Sequence, residues 1–472
     1  METIRTDLLV IGAGSGGLSV AAGAVQMGAS VVLVERGEMG GDCLNYGCVP
    51  SKALIAAAAQ AHVAQTSAAF GVDLDRPKVD WPRVRAHVQE TIARIAPVDS
   101  QERFEGLGVR VIRDHARFVS DREVEAGRCR IAARRIVLAT GSAAAVPPVP
   151  GLANVSFMTN ETLWDLQELP SHLLILGGGP IGMEMAQSFR RLGAQVTVVE
   201  GAKALGREDP EMAAIVLDRL RGEGVTILEG ETVSSASQQG SAIELRLSGG
   251  GSLTGSHLLV AAGRRANTEG LGLAVAGIET TKTGLRVDAG LRTTNRRVYA
   301  IGDAAGGMQF THVAGYHAGI ILRSALFGLP AKATTDHIPR ATYTRPELAH
   351  VGLSEVEARQ RFGGKLEVLR AALLHNDRAI AERETAGLAK VMVHRGRPVG
   401  ATIVGPQAGD LISTWALAIS AKTKIGQIAG MVAPYPTLGE LNKRVAGSYF
   451  TPRLFENRTV KAVTRTVQRL LP

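Results

Sequence analysis

Two glycine-rich turns of the same layout, 165 residues apart, constrain this chain more than any other feature. Leu8-Leu9-Val10-Ile11 is a short apolar run of the buried parallel-strand kind, and it leads into Gly12-Ala13-Gly14-Ser15-Gly16-Gly17. A small-residue helix is expected from Leu18 to Met27, and Ser30 to Glu35 reads as a second strand ending in an acid. The pattern returns as Leu173 to Leu176, then Gly177-Gly178-Gly179-Pro180-Ile181-Gly182, then Val196 to Glu200. Each unit reads as strand, helix, strand: glycines allow the tight turn, the helix N-terminus approaches a pyrophosphate, and the acid reaches a ribose hydroxyl. One such turn is weak evidence, since 55 glycines in 472 residues give roughly 0.75 chance matches. Two strand-flanked copies with the same acid spacing are not accidental, and the chain is expected to hold two dinucleotides.

The rest of the chain suits a nested layout. Pro147-Pro148-Val149-Pro150-Gly151 marks a boundary, as does the stretch near Pro339. Ile136-Val137-Leu138-Ala139-Thr140-Gly141 reads as a strand ending in a small-residue turn, and Leu258-Leu259-Val260-Ala261-Ala262-Gly263 is its near-copy. Val298 to Asp303 then reads as a return to the first domain. From about 340 the pattern changes, with strands expected at Ala341–Thr344 and Ala389–Val393 among helical stretches. The predicted fold class is α/β, with two nested Rossmann-like dinucleotide-binding domains and a C-terminal α+β domain. The expected boundaries are 1–149, 150–268, 269–338 and 339–472.

Gly40-Gly41-Asp42-Cys43-Leu44-Asn45-Tyr46-Gly47-Cys48-Val49-Pro50-Ser51-Lys52 carries the most chemistry. Four intervening residues suit one helical turn between the cysteines, and Pro50 and Ser51 suit a helix start whose positive end favours a thiolate. No further ligands lie in sequence reach for a metal site. Cys129, alone in a Gly/Arg-rich stretch, reads as a structural or surface thiol. Three cysteines are too few for a secreted disulfide scaffold. The chain shows no leader before the first strand and no apolar run of the roughly 18 residues that span a bilayer, so the cytoplasm is expected and a membrane is not. The formal net charge of +9 suits anionic dinucleotides, while 4% aromatics and no long Lys/Arg block argue against nucleic acid.

These segments, in this order and over essentially the whole chain, resemble the class I flavoprotein disulfide reductases, the family of dihydrolipoamide dehydrogenase, glutathione reductase and mercuric reductase. The resemblance implies that the first domain (1–149 and 269–338) binds FAD, that 150–268 binds NADH or NADPH, and that 339–472 forms a homodimer. It implies a redox disulfide in which Cys48 is the thiolate nearest the flavin and Cys43 the interchange thiol. Lys52 would lie near the flavin N5, paired with Glu184. Gly12, Gly14, Gly17 and Glu35 would hold the adenosine end of FAD, with Thr140, Gly141, Gly302 and Asp303 along the rest of the cofactor. Gly177, Gly179, Gly182, Glu200 and Gly263 would serve the nicotinamide dinucleotide. An acid at Glu200 favours NADH, because a 2′-phosphate would meet like charge, although Lys203 nearby softens that preference.

One segment departs from the family. Its disulfide-reducing members carry a C-terminal H-P-T-x-x-E motif whose His is the acid–base and whose Glu orients it. Here the stretch is Ala433-Pro434-Tyr435-Pro436-Thr437-Leu438-Gly439-Glu440, with Tyr435 at the histidine position. A phenol titrates near 10 and an imidazole near 6.5, and loss of a general base typically costs about 10²–10⁴ in rate. Mercuric reductase is similar in having a tyrosine in this region, but its C-terminal vicinal cysteines and its N-terminal metal-binding module have no counterpart here. The expected activity is therefore transfer of electrons from NAD(P)H through FAD and Cys43–Cys48 to an unnamed acceptor. Dihydrolipoamide dehydrogenase is the alternative, and a flavin-bearing redox sensor or complex subunit is the alternative of another class. His312 and His317 read as structural residues near the flavin, and His375-Asn376-Asp377-Arg378 as an interface loop. The basic tail, with Arg458, Lys461, Arg465 and Arg469 opposite Val460, Val463, Val467 and Leu470, is expected to be a solvated helix packing one face on the dimer.

Overall fold

The computed structural model describes residues 1–75 and 77–471, and the described residues form two compact units: those of 1–201 with 226–334, and those of 202–225 with 335–471. In the first unit the strand Glu2–Ile11 lies at the centre of a seven-stranded sheet. Its apolar end, Leu8 to Ile11, is at most 4% exposed and pairs in parallel with Val31–Val34 on one side and Arg135–Leu138 on the other. Burial on both faces explains why this run is continuously apolar rather than alternating. Val298–Ala300 joins the same sheet by pairing in parallel with Ile136–Leu138.

A second, five-stranded sheet orders Thr226–Glu229, Gln195–Glu200, His172–Leu176, His257–Val260 and Phe157–Met158, all in parallel. The repeated sequence pattern thus becomes a repeated sheet, with each glycine turn at the carboxyl end of a central strand, where ligands of open α/β sheets bind.

In the second unit five antiparallel strands run in the order Arg340–Thr342, Glu347–Gly352, Arg397–Gly405, Leu388–His394, Leu366–Ala372. Trp415 is fully buried on this sheet, and its indole N–H donates to Asn442 at 2.8 Å, so the polar end of the ring is satisfied. The helix Pro210–Gly222 belongs to this unit; Asp209 caps it and also accepts from Lys390 Nζ at 2.8 and 2.9 Å. The terminal helix Arg458–Leu470 leaves Val463, Val467 and Leu470 exposed in the chain by itself. Among the described residues no helix is long and apolar enough to cross a membrane.

Candidate active site

The two glycine turns have matching geometry. Gly12 and Gly177 sit at φ +107° and +118°, and a Cβ on either would lie 2.3 or 2.4 Å from the carbonyl oxygen of Ala139 or Ala261. Gly17 and Gly182 press equally close to the backbone of Gly12 and Gly177. By contrast, a Cβ on Gly14 or Gly179 would meet nothing within 4 Å. These two residues are the N-caps of the helices Ser15–Gln26 and Pro180–Leu192, and neither cap has a side-chain acceptor. Both helix starts thus lack a side-chain cap, and no side chain stands on the capping glycine, which fits a pyrophosphate at each. The acids close the turns: Glu35 accepts from the N–H groups of Ala13 and Gly37 at 2.5 and 2.6 Å, and Glu200 accepts from Gly178 N–H at 2.7 Å.

The redox segment differs from the single helical turn expected between its cysteines. Cys43 lies on a short helix, Gly41–Asn45, which closes when Tyr46 N–H and Gly47 N–H both donate to the Asp42 carbonyl. A second helix, Cys48–Thr66, begins at Cys48, two residues before the expected start. Pro50 is tolerated there because the first turn of a helix has no use for its missing N–H. The result puts the Cys48 sulfur itself at a helix N-terminus, where the dipole favours a thiolate.

The electrostatics separate the two sulfurs. A hydrogen bond from Cys43 is the largest influence on Cys48 and lowers its pKa to about 6; burial opposes this, while the Thr311 hydroxyl and the Lys52 charge assist. Thr311 Oγ1 lies 3.4 Å from the Cys48 sulfur. Cys43 moves the other way, pushed up by its hydrogen bond to Cys48, by burial and by the charge of Cys48. In the dithiol state Cys48 is the thiolate and Cys43 keeps the proton. Lys52 Nζ lies 3.0 Å from Glu184 Oε2, and Glu184 is buried on the helix Pro180–Leu192.

Beyond the cysteines, Thr140 and Asn267 exchange side-chain to backbone hydrogen bonds at 2.7 and 2.9 Å, fixing the turn that carries Gly141. Asp303 accepts from Ser142 Oγ at 2.5 Å, and burial pushes its carboxyl above the usual range. His317 Nδ1 accepts from Gly302 N–H at 3.2 Å, and burial lowers the pKa of this imidazole. It therefore supports the turn as a structural residue, while His312 stacks on Phe310. Thr311, Ser142 and Arg264 escape sequence reasoning. The signals for Ser142 and Arg264 were their places directly after Gly141 and Gly263 in the two near-copied strand ends; the signal for Thr311 was its place at the head of the stretch Thr311-His312-Val313-Ala314, which the family resemblance sets near the flavin.

In the second unit Tyr435 is exposed, and its hydroxyl donates to Asp377 Oδ2 at 2.7 Å. The partner anticipated from sequence, Glu440, begins the helix Glu440–Gly447 and acts on Tyr435 only through repulsion. The hydrogen bond to Asp377 raises the phenol further, so still less of the phenolate needed to accept a proton forms near neutral pH than the residue type implies. Asn376 Nδ2 donates to the Thr437 carbonyl at 3.1 Å and ties the 375–378 loop to the Tyr435 segment.

Two dinucleotide cradles on parallel sheets, with a thiolate–thiol pair at a helix start beside the first, define a nicotinamide- and flavin-linked disulfide oxidoreductase. The chain belongs to the pyridine nucleotide-disulphide oxidoreductase family, whose model matches residues 6–318, and the dimerisation domain of that family matches 338–446. It is 36% identical to the mercuric reductase of Streptomyces lividans over 458 residues, covering 94% of this chain and 96% of the relative. It is 32% identical to the dihydrolipoyl dehydrogenase of Geobacillus stearothermophilus, covering 94% and 96%. Among solved structures, the HOCl-induced flavoprotein disulfide reductase RclA of Escherichia coli aligns with TM-score 0.84 at 27% identity, covering 93% of this chain and 99% of that one. LpdA of Mycobacterium tuberculosis aligns with TM-score 0.86 at 25% identity, covering 94% and 99%. The protein is thus an FAD-dependent pyridine nucleotide-disulfide oxidoreductase.

Proposed function

We propose that this protein carries electrons from NADH, through FAD and the Cys43–Cys48 disulfide, to a small electrophilic acceptor rather than to a dithiol–disulfide substrate that needs an imidazole. Bound FAD would supply the two-electron link between nicotinamide and disulfide. Gly12, Gly14, Gly17 and Glu35 would hold its adenosine end, with Thr140, Gly141, Gly302 and Asp303 along its length. Gly177, Gly179, Gly182, Glu200 and Gly263 would hold the nicotinamide dinucleotide. The proposed division is 1–149 with 269–338 for FAD, 150–268 for NAD(P)H and 339–472 for the homodimer, the last supported by the dimerisation-domain match.

Reduction of the disulfide takes two electrons and one proton: the S–S bond breaks, Cys43 takes the proton and Cys48 remains the thiolate. The geometry supports that division, because Cys48 titrates near 6 while Cys43 is pushed up. Lys52, backed by Glu184, holds a positive charge beside the developing thiolate. Two electrons then pass to the acceptor, Cys43 releases its proton and the S–S bond re-forms. Three cysteines suit a reducing compartment, and the proposal places the protein in the cytoplasm.

The observation that carries the choice of acceptor is Tyr435, a phenol raised by Asp377 where a base for thiol exchange would stand. Soft metal ions, including Hg(II) as the name of the Streptomyces relative suggests, accept electrons without such a base. The test compares NADH-dependent Hg(II) reduction with lipoamide turnover by the purified flavoprotein. Lipoamide turnover slower by about 10²-fold or more supports the reading; comparable rates refute it and favour a dihydrolipoyl dehydrogenase.

A further inference from the structure

Asp42, the residue before Cys43, brings a carboxylate to the redox pair, where its charge opposes the thiolate form of both cysteines. Each of its oxygens is engaged: Oδ1 accepts from Asn160 Nδ2 at 2.9 Å, and Oδ2 faces Arg264 Nη2 at 3.1 Å. Arg264 is almost buried, its side chain 13% exposed, and it is fixed from its other side. Its Nε donates to Ser142 Oγ at 2.7 Å, its Nη2 donates to the Ser142 carbonyl at 2.9 Å, and Asp303 lies 3.8 Å away. Ser142 in turn donates to Asp303. One guanidinium thus stands between the carboxylate of the redox segment and the carboxylate assigned to the flavin, held on the strand Arg264–Ala266, which pairs with Ser142–Ala144.

We propose that Arg264 is a positioning residue of the redox centre: it anchors the short helix carrying Cys43 through Asp42 and cancels the field that Asp42 would otherwise impose on the disulfide. The inference rests on the relay reading above. A planar guanidinium suits the task because it reaches Asp42 and Ser142 at once with a fixed fork. The other charges facing the cysteines are Lys52 on the redox helix, with Glu184 behind it; Thr311 on the helix Thr311–Ile321 is neutral. Glu38, Glu161 and Asp165, with Asp42, act on the Tyr46 phenol of the same segment and raise it.

The test measures how fast Cys48 is alkylated by iodoacetamide as a function of pH in the reduced flavoprotein, with the modified residue located by mass spectrometry. Arg264→Gln uncovers Asp42 and should move the Cys48 midpoint up by roughly half to one pH unit, a modest shift because the acid is partly solvated. Asp42→Asn leaves Arg264 uncovered and should move it down by a similar amount, and the double variant should return near the parent. Arg264→Lys, which keeps the charge, should restore most of the parent profile. A structural role alone does not give shifts of opposite sign that cancel. If Arg264→Gln and Asp42→Asn move the midpoint in the same direction, or leave it in place, the inference falls. Should Arg264→Gln not fold, Asp42→Asn must still lower the midpoint and Arg264→Lys must still match the parent, or the inference falls. Failure of the relay reading shows separately, in the parent, as NADH reduction without a thiolate–flavin absorption band.

Discussion

Replacing Cys43 with alanine should raise the pKa of Cys48 and leave a single thiolate beside oxidised flavin. In the parent dithiol the hydrogen bond from Cys43 is the largest influence holding Cys48 near 6. A hydrogen bond to a charged group contributes about 1.5–3 kcal/mol, and 1.36 kcal/mol corresponds to one pH unit. Cys48 reaches the surface although its sulfur is enclosed enough for burial to oppose the thiolate, so the lower end applies and the expected rise is about one unit. The Thr311 hydroxyl, Lys52 and the helix N-terminus remain, so the midpoint should settle near 7, still below an ordinary thiol. The sign follows from what is removed: the donor stabilises the thiolate, so without it more alkaline solution is needed to form the thiolate. The assay follows the long-wavelength thiolate-to-flavin absorption of Cys43→Ala from pH 5 to 9 against the NADH-reduced parent. A midpoint at or below 6 would refute the hydrogen-bond argument. If the band appears in Cys48→Ala and is missing from Cys43→Ala, the two sulfurs have been assigned the wrong way round.

Tyr435→His should raise lipoamide turnover by at least tenfold if general acid–base catalysis is what is missing, measured as kcat with dihydrolipoamide and NAD; no rise would point to another obstacle. Glu200→Gln keeps an acceptor for Gly178 N–H but removes the charge, and should raise the NADPH to NADH ratio of kcat/KM by about tenfold, a change of about 1.4 kcal/mol. An unchanged ratio would remove Glu200 from cofactor selection. Lys390, its side chain 3% exposed, contacts Asp209, Glu211 and Glu355 at 2.6 to 3.1 Å. Lys390→Met should therefore cost about 3–5 kcal/mol in chemical denaturation, with part recovered in the double variant Lys390→Met/Asp209→Asn. A loss below 1 kcal/mol would show that the cluster is solvated.

The sequence by itself determined the two dinucleotide units, because a turn against a phosphate admits only glycine where a Cβ would meet backbone, and that demand is local. It also marked Cys43 and Cys48, since residue type and spacing carry that chemistry, while Lys52 and the loss of histidine at Tyr435 were marked by the family resemblance. Pairing Lys52 with Glu184, 132 positions away, came from the family resemblance, and the fold brings the two to 3.0 Å. Only the tertiary structure decided the helix break between the cysteines, because Tyr46 and Gly47 close back on Asp42 in a way that spacing alone does not reveal. It alone placed Thr311, 263 positions from Cys48, and Arg264, between Asp42 and Asp303, and it gave Tyr435 to Asp377 in place of Glu440. Charge and hydrogen bonding act through space at 3 to 4 Å, and which distant residues come that close is set by how the sheets stack their loops rather than by the order of residues in the chain.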